Sequence, residues 1–269
     1  MDKKKLFVRA LSGLVYVAVI VGCIFWGEIP FTWMAAVFAT LATIEFEKIT
    51  HELSQKTIPT LCLDIAGTIT LTFAWMIWPI FVWLFILLCR MTLQLYIKSP
   101  TPLADLAKSM MTQLYIGVPL GAMTTLGAWW ELNGVLMIFF MIWINDTGAF
   151  LVGSMIGKHK LFERISPKKS WEGFFGGLIF NLGAGALFCI FGHKFFGIEE
   201  NLGLYLGLGA LVTLFSTWGD LVESMIKRNL HIKDSGNLIP GHGGILDRID
   251  SLLFVMPATF LYLLFFELI

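Results

Sequence analysis

The chain has 269 residues and a formal net charge of zero; 57% of its residues are hydrophobic and only 14% are charged. Its mean hydropathy is +0.78. A soluble domain carries about 25% charged residues to cover its surface, so this composition excludes a water-soluble globular enzyme. Intrinsic disorder and a collagen-like structure are excluded as well, because 24 Phe and 10 Trp occur without a repeat. A polytopic membrane protein remains.

Hydropathy and helix-breaking residues predict nine transmembrane helices. The first begins near the N-terminus and is followed by no small-x-small cleavage site, so we expect an uncleaved span rather than a signal peptide. The predicted fold class is an all-α polytopic membrane protein. The predicted spans lie near residues 6–26, 29–47, 58–77, 79–97, 111–130, 133–153, 172–192, 202–222 and 249–268.

The distribution of basic residues predicts how the chain is oriented. With the N-terminus cytoplasmic and the C-terminus on the opposite side, almost every Lys and Arg falls in a cytoplasmic segment. The exceptions are Lys194, which is external, and Arg90, which lies within the fourth span. We therefore expect an integral membrane protein, in the inner membrane if bacterial. It should be one domain over 1–269, with 1–130 mainly scaffold and 133–251 carrying the active-site motifs.

Ionisable residues inside membrane spans are costly, and each is therefore a candidate for function. Under the predicted orientation, every acid among them lies near the cytoplasmic end of its span. Carboxylates that gather at low dielectric repel one another unless cations lie between them. The sequence therefore predicts a polar cavity, open to the cytoplasm, that binds metal ions. An interfacial or helix-capping role stays open for Asp64, Glu45 and Glu172. The ionisable residues are Glu45, Asp64, Arg90, Asp146, Glu172, Asp220, Asp247 and Asp250.

The first of two polar segments runs from Gly157 to Gly173 and contains paired lysines beside hydroxyl groups. Lys168, Lys169 and Ser170 directly precede a predicted helix. The backbone N–H groups and the dipole at a helix N-terminus add to the lysine charge, so this arrangement favours anion binding. The alternative is that these lysines only set the orientation in the membrane.

The second polar segment begins at the end of the eighth predicted span. If that helix continues past Asp220, then Asp220, Ser224 and Lys227 lie on one helical face. The run Pro240-Gly241-His242-Gly243-Gly244 cannot continue a helix. Its glycines allow the close backbone approach that a phosphate or a nucleotide requires.

Two further acids, Asp247 and Asp250, follow this glycine-rich run on a new helical turn. Oxygen ligands without paired cysteines favour magnesium over zinc. A metal site, basic residues and glycines together are typical of phosphoryl or nucleotidyl transfer, which depends on positioning and charge stabilisation.

The second segment resembles the signature of the phosphatidate cytidylyltransferase family, also called CDP-diglyceride synthetases. The resemblance extends to Asp146-Thr147-Gly148-Ala149 with Gly153, and to the run Ser166–Gly173, where the family more usually has Thr at the position of Ser170. The signature positions are Ser224-x-x-Lys227-Arg228, Lys233-Asp234-Ser235-Gly236, Pro240-Gly241-His242-Gly243-Gly244 and Asp247-Arg248-x-Asp250.

The resemblance implies a homodimeric membrane enzyme that converts CTP and phosphatidate into CDP-diacylglycerol and pyrophosphate. It also implies that Asp220 and Asp247 ligate Mg²⁺, with K⁺ as an accompanying cation. Asp146 either completes the metal shell or holds a lysine, and we expect no nucleic-acid partner. Lys227 and Arg228 are predicted catalytic residues together with the two metal ligands. The predicted substrate-binding residues are Ser166, Lys168, Lys169, Ser170, Ser224, Lys233, Asp234, His242, Gly243, Gly244 and Arg248, supported by Glu45, Glu172 and Asp250.

Two alternatives compete with this interpretation. A cation-coupled transporter would place its acids near the bilayer midplane, often in two related halves, whereas here they lie towards one face. A related membrane nucleotidyltransferase or lipid kinase acting on an isoprenoid lipid has the same chemical requirements. Spacing alone does not separate these substrates.

Overall fold

The computed structural model describes residues 3–51, 57–196, 200–241 and 243–266, and of residues 3–6 and 9 it describes only the backbone. His242, a predicted substrate-binding residue, lies outside the described residues. Nearly all of the described chain is helical. The helices are α1 Lys3–Trp26, α2 Glu28–Ile49, α3 Ile58–Leu71, α4 Trp78–Gln94, α5 Pro102–Thr112, α6 Val118–Trp129, α7 Leu132–Ile156, α8 Trp171–Leu187, α9 His193–Phe196, α10 Leu202–Asn229 and α11 Leu246–Phe265.

The lengths and composition of these helices suit a bilayer. In the described chain, five helical stretches are long and apolar enough to cross a membrane, and three shorter apolar helices accompany them. This confirms the all-α membrane class, while the count of nine spans and the orientation stay predictions. The five stretches are Glu28–Ile49, Leu132–Ile156, Trp171–Phe196, Leu202–Asn229 and Leu246–Phe265.

Two predicted spans differ from the helices that form. The predicted span 58–77 ends as a helix at Leu71, and Ile77 takes a positive φ of 70° before Pro79 opens α4. Positive φ is rare for a β-branched residue, so this turn is a constrained break. In the second case the chain is already helical from Pro102, ahead of the predicted span 111–130.

The chain forms two compact units by its internal contacts. The first unit contains Met1–Ala128 and Asp234–Ile249, and the second contains Trp129–Lys233 and Asp250–Ile269. In the first unit α2 packs against α1 and α3. This helix carries Ala35, Ala39 and Ala42, all of which are fully buried. Such small side chains let helices approach closely without a large apolar group between them.

In the second unit α8 packs against α7 and α10. The sequence places Gly173 and Gly177 one helical turn apart on α8. A Cβ atom on Gly173 would lie 2.9 Å from the carbonyl oxygen of Ala149, and one on Gly177 would lie 2.5 Å from Oδ1 of Asn145. Glycine is therefore required at both positions because the backbone of α8 lies directly against α7.

The polar segment between α7 and α8 is a small antiparallel hairpin. Its strands are β1 Lys160–Phe162 and β2 Ser166–Ser170, with Lys160 opposite Ser170 and Phe162 opposite Ser166. The hairpin carries the predicted lysine cluster on β2, immediately before α8 begins.

Candidate active site

The junction between β2 and α8 is fixed by a helix cap. Ser170 is the N-cap residue of α8, and its Oγ accepts a hydrogen bond of 3.1 Å from the backbone N–H of Gly173. This satisfies one of the first N–H groups of the helix, which have no partner within it. The prediction that Ser170 precedes a helix is confirmed, and Lys168 and Lys169 are placed beside its N-terminus.

A cavity of about 560 Å³ lies in the second unit between the hairpin and helices α7, α8 and α10. Carboxylates, lysines and hydroxyl groups form its polar wall, and alanine, leucine and phenylalanine side chains form an apolar one. The lining residues that matter below are Asn145, Asp146, Ser154, Lys160, Pro167, Lys168, Lys169, Ser170, Ser216, Thr217 and Asp220.

Asp220 lies on the cavity wall, and α10 continues as a helix past it to Asn229, which meets the condition under which Asp220 and Ser224 share one helical face. Its Oδ1 accepts a hydrogen bond of 3.1 Å from Ser224 Oγ, one helical turn along. Its Oδ2 lies 2.7 Å from the ammonium nitrogen of Lys169. The structure thus brings together one predicted metal ligand and two predicted substrate-binding residues.

Two further acids of the second unit lie near Asp220. Asp146 lines the same cavity, and its Oδ1 accepts a hydrogen bond of 3.4 Å from Asn145. Asp250 accepts a hydrogen bond of 2.7 Å from the backbone N–H of Ser251. It lies close enough to Asp220 and Asp146 for the three charges to repel one another.

Lys227 lies on the same helix as Asp220 but forms its ion pair with Glu223. Sequence analysis did not single out Glu223, although its spacing of one helical turn from Lys227 is typical of such pairs. Arg228 is exposed and donates a hydrogen bond of 3.2 Å to the carbonyl oxygen of Ile232. In this structure both basic side chains contact protein groups near the C-terminal end of α10.

Asp247 belongs to the first unit, where it organises the loop that precedes α11. Its Oδ2 accepts hydrogen bonds from the backbone N–H of Ser235 at 2.9 Å, from Ser235 Oγ at 3.0 Å and from the backbone N–H of Gly244 at 2.9 Å. As predicted, the described residues of the glycine-rich run, Pro240, Gly241, Gly243 and Gly244, are not helical. Gly241 and Gly243 have φ values of 75° and 85°, which glycine adopts without strain.

The other signature positions of this loop are open to solvent. Lys233, Asp234 and Arg248 have exposed side chains. The carbonyl oxygen of Arg248 accepts a hydrogen bond of 3.1 Å from the hydroxyl of Tyr16, which ties the start of α11 to α1 within the first unit.

Three of the acids, for which an interfacial or capping role stayed open, have partners of their own. The Glu172 carboxylate accepts hydrogen bonds from the backbone N–H groups of Lys158 and His159 and lies 2.6 Å from the ring Nδ1 of His159. Asp64 accepts a hydrogen bond of 2.9 Å from Ser109. Glu45 binds the loop before α11. Glu172 is not among the residues that line the cavity of the second unit.

A sequence profile of the cytidylyltransferase family matches residues 7–266, which is nearly the whole chain. The chain belongs to the cytidylyltransferase family. Curated relatives include three proteins named phosphatidate cytidylyltransferase. Those of Staphylococcus aureus and Staphylococcus epidermidis are 42% and 40% identical over 161 residues, and that of Staphylococcus saprophyticus is 42% identical over 163 residues. Each match spans 60% of this chain and 60% of the relative.

The charge around Asp220 suits a cation in this cytidylyltransferase family member. Asp146, Asp220 and Asp250 repel one another, and Lys169 already places a positive group 2.7 Å from Asp220. The described residues contain no group of three or more His, Cys, Asp or Glu side chains arranged to hold a metal ion. Magnesium commonly uses one or two carboxylates and completes its shell with water and substrate phosphates. The acids of the second unit fit that mode of binding.

The expectation that Asp220 and Asp247 share a metal stays a prediction, as does the assignment of Asp146 as a third ligand. Asp220 belongs to the second unit and Asp247 to the first. Sequence analysis also left out Lys160 and Ser216, which line the cavity of the second unit. Lys160 was visible in the basic run before α8, but nothing local marked Ser216, which depends on the packing of α10.

Proposed function

We propose that this chain transfers the cytidylyl group of CTP to phosphatidate, giving CDP-diacylglycerol and pyrophosphate. The observation that carries the proposal is the membership of the cytidylyltransferase family over residues 7–266 together with a cavity lined by both carboxylates and lysines. The named relatives support phosphatidate as the acceptor.

The proposed reaction is an in-line attack by a phosphate oxygen of phosphatidate on the α-phosphorus of CTP. A bond forms between that oxygen and the α-phosphorus, and the bond from the α-phosphorus to the bridging oxygen of pyrophosphate breaks. The lipid phosphate is already an anion near neutral pH, so the protein needs no general base or covalent intermediate. Its contribution is to position two anionic reactants and to offset their repulsion.

The lysines beside α8 are suited to that task. Lys168 is exposed at the cavity, and Lys160 lies on the facing strand. We assign Lys168 and Lys160 to the phosphates of CTP or of the lipid. Lys169 forms an ion pair with Asp220, so phosphate binding by Lys169 requires that this ion pair opens.

Magnesium, when bound, would offset charge on the phosphates and on the departing pyrophosphate. Asp220 would hold it, with Asp146 near by, and Asp247 is the second ligand that the family resemblance implies. Ser224 fixes the orientation of the Asp220 carboxylate through its 3.1 Å hydrogen bond. Homodimerisation and a role for potassium stay predictions, and cross-linking in membranes tests the first of them.

The decisive experiment compares CTP labelled at the α-phosphorus with CTP labelled at the γ-phosphorus. Purified protein in detergent receives either nucleotide, magnesium and phosphatidate, with an isoprenoid alcohol or phosphate as the alternative acceptor. We expect α label, but no γ label, to enter a lipid product with phosphatidate. Transfer of γ label would identify a kinase, and α label only on the isoprenoid acceptor would identify a different nucleotidyltransferase. Either result refutes the proposal.

A further inference from the structure

The start of α11 lacks a cap of its own. The carbonyl oxygen of Ile245 accepts hydrogen bonds from the backbone N–H groups of Arg248 at 3.0 Å and Ile249 at 3.2 Å, so Ile245 is the N-cap residue. Its hydrocarbon side chain offers no oxygen to the first N–H groups of the helix. These groups need an acceptor from elsewhere, because they have none within the helix.

Glu45, 200 residues earlier on α2, provides that acceptor. Its Oε1 accepts a hydrogen bond of 3.0 Å from the backbone N–H of Ile245, and its Oε2 accepts one of 3.0 Å from Leu246. The residue is 8% exposed. A buried carboxylate at this position is stabilised by the two N–H donors and by the partial positive charge of the helix N-terminus.

The same carboxylate also contacts the opposite end of the loop. Ser235 Oγ lies 3.2 Å from Glu45 Oε2 and 3.0 Å from Asp247 Oδ2. The hydroxyl has a single hydrogen, which these two carboxylates share. Ser235 therefore links the acid from α2 to the acid on α11, and both ends of the segment 235–247 are held at one point.

This arrangement explains why two positions of the signature are occupied by glycine. A Cβ atom on Gly244 would lie 2.2 Å from Ser235 Oγ and 2.3 Å from Glu45 Oε2, and one on Gly236 would lie 2.6 Å from Glu45 Oε1. Any side chain at either position would displace the carboxylate. The carboxylate of Glu45 therefore requires glycine at both positions.

We infer that Glu45 is a positioning residue, which caps α11 from another helix and fixes the two ends of the loop that precedes Asp247, at Ser235 and at Ile245. The sequence had suggested that Glu45 faces a metal cavity. Its two oxygens instead accept hydrogen bonds from loop N–H and O–H groups. The effect of Glu45 on catalysis rests on the proposed function, because the loop binds a nucleotide only under that proposal. The effect of Glu45 on the structure of the loop does not depend on the proposed function.

Hydrogen exchange measures the loop directly. In Glu45→Gln one oxygen acceptor becomes an N–H donor and the charge at the helix N-terminus is lost. We expect the amides of Ile245 and Leu246 to exchange about tenfold faster, in proportion to the loss of a helix cap. Gly244→Ala should have the same effect while leaving Glu45 in the sequence. The matched control is Glu28→Gln, an exposed acid at the start of the same helix, for which exchange should match the wild type.

Unchanged exchange at residues 243–249 in Glu45→Gln overturns the inference, and so does an equal increase throughout α2, which would indicate general destabilisation. If Glu45→Gln does not fold, hydrogen exchange in Glu45→Asp and in Gly244→Ala tests the inference instead.

In the activity assay, Glu45→Gln should raise the KM for CTP several-fold and leave the KM for phosphatidate unchanged. Wild-type protein that makes no CDP-lipid would refute the proposed function, whereas the exchange data would still decide the role of Glu45.

Discussion

Asp220 is the residue at which the contacts of the second unit converge. It accepts a hydrogen bond from Ser224, forms an ion pair with Lys169 and lines the cavity. We expect Asp220→Asn to lower kcat by about 100-fold or more, because the amide removes the charge that would bind a cation at the phosphates. The measurement is CDP-lipid formation by purified protein. Ser154→Ala, a change to an exposed cavity residue, should stay within about twofold and serves as the control. Near-normal turnover in Asp220→Asn would refute the metal assignment.

Lys169 forms an ion pair with Asp220, the proposed metal ligand. Removing its ammonium group should therefore strengthen divalent cation binding at Asp220. We expect Lys169→Met to bind Mn²⁺ several-fold more tightly than wild type, measured from the free Mn²⁺ signal in electron paramagnetic resonance. Lys168→Met removes an equal charge from an exposed neighbour that has no ion pair with Asp220. If both variants change the Mn²⁺ affinity equally, the affinity depends on the total positive charge of the hairpin and not on the ion pair between Lys169 and Asp220.

Residues in local contact were the ones that the sequence predicted well. The contact between Ser224 and Asp220 follows from their spacing of one helical turn, and the structure confirms it. The ion pair between Lys169 and Asp220 joins a strand to a distant helix. No spacing rule reports such a contact, because it depends on how α8 and α10 pack.

At the scale of elements, polarity explains both what sequence analysis identified and what it missed. Apolar stretches located most helices, and the glycine-rich run was correctly predicted to be non-helical. The helix α5 was missed at its start, because Asp105, Lys108 and Ser109 make it polar. Each of these side chains is nonetheless almost fully buried within the first unit. Hydropathy assigns polar residues to water, and it does not foresee that they pair with one another inside the protein.

A buried polar network connects α5 to its neighbours in the first unit. Arg90 on α4 donates hydrogen bonds to Ser109 Oγ and to Gln94 Oε1, each at 2.8 Å. Gln94 in turn donates to Asp105 at 3.0 Å. These contacts explain how Arg90, 2% exposed, is accommodated inside an apolar helix. We regard its role as structural, because its contacts are satisfied within the protein.

Lys108 on α5 also forms an ion pair with Glu47 on α2, with 2.8 Å between Lys108 Nζ and Glu47 Oε2. Lys108→Met leaves the Glu47 carboxylate buried without its cation, which typically costs about 3–5 kcal/mol. We therefore expect a clear loss of stability, measured by thermal or denaturant unfolding in detergent. Adding Glu47→Gln should recover part of that loss, because the unpaired charge is removed. Equal stability of Lys108→Met and wild type would show that the pair contributes little.

At the scale of the whole molecule, the composition established a membrane protein, but the side on which each segment lies rests on the distribution of basic residues. The hairpin before α8 contains Lys158, Lys160, Arg164, Lys168 and Lys169, whereas the segment after that helix contains Lys194. The stretch Trp171–Phe196 is long and apolar enough to cross a membrane. The two groups of residues should therefore face opposite sides.

This arrangement can be tested with two single cysteines in a background where Cys23, Cys62, Cys89 and Cys189 are replaced by serine. Glu163→Cys lies in the hairpin, Lys194→Cys lies at the far end of the following helical stretch, and both positions are exposed. In intact cells, a membrane-impermeant maleimide should label Lys194→Cys but not Glu163→Cys. Permeabilised cells should label both. Labelling of Glu163→Cys from outside would reverse the orientation and place the cavity away from cytoplasmic CTP. Labelling of both variants in intact cells would mean that Trp171–Phe196 does not span the bilayer, and the prediction that the cavity opens to the cytoplasm would lose its basis.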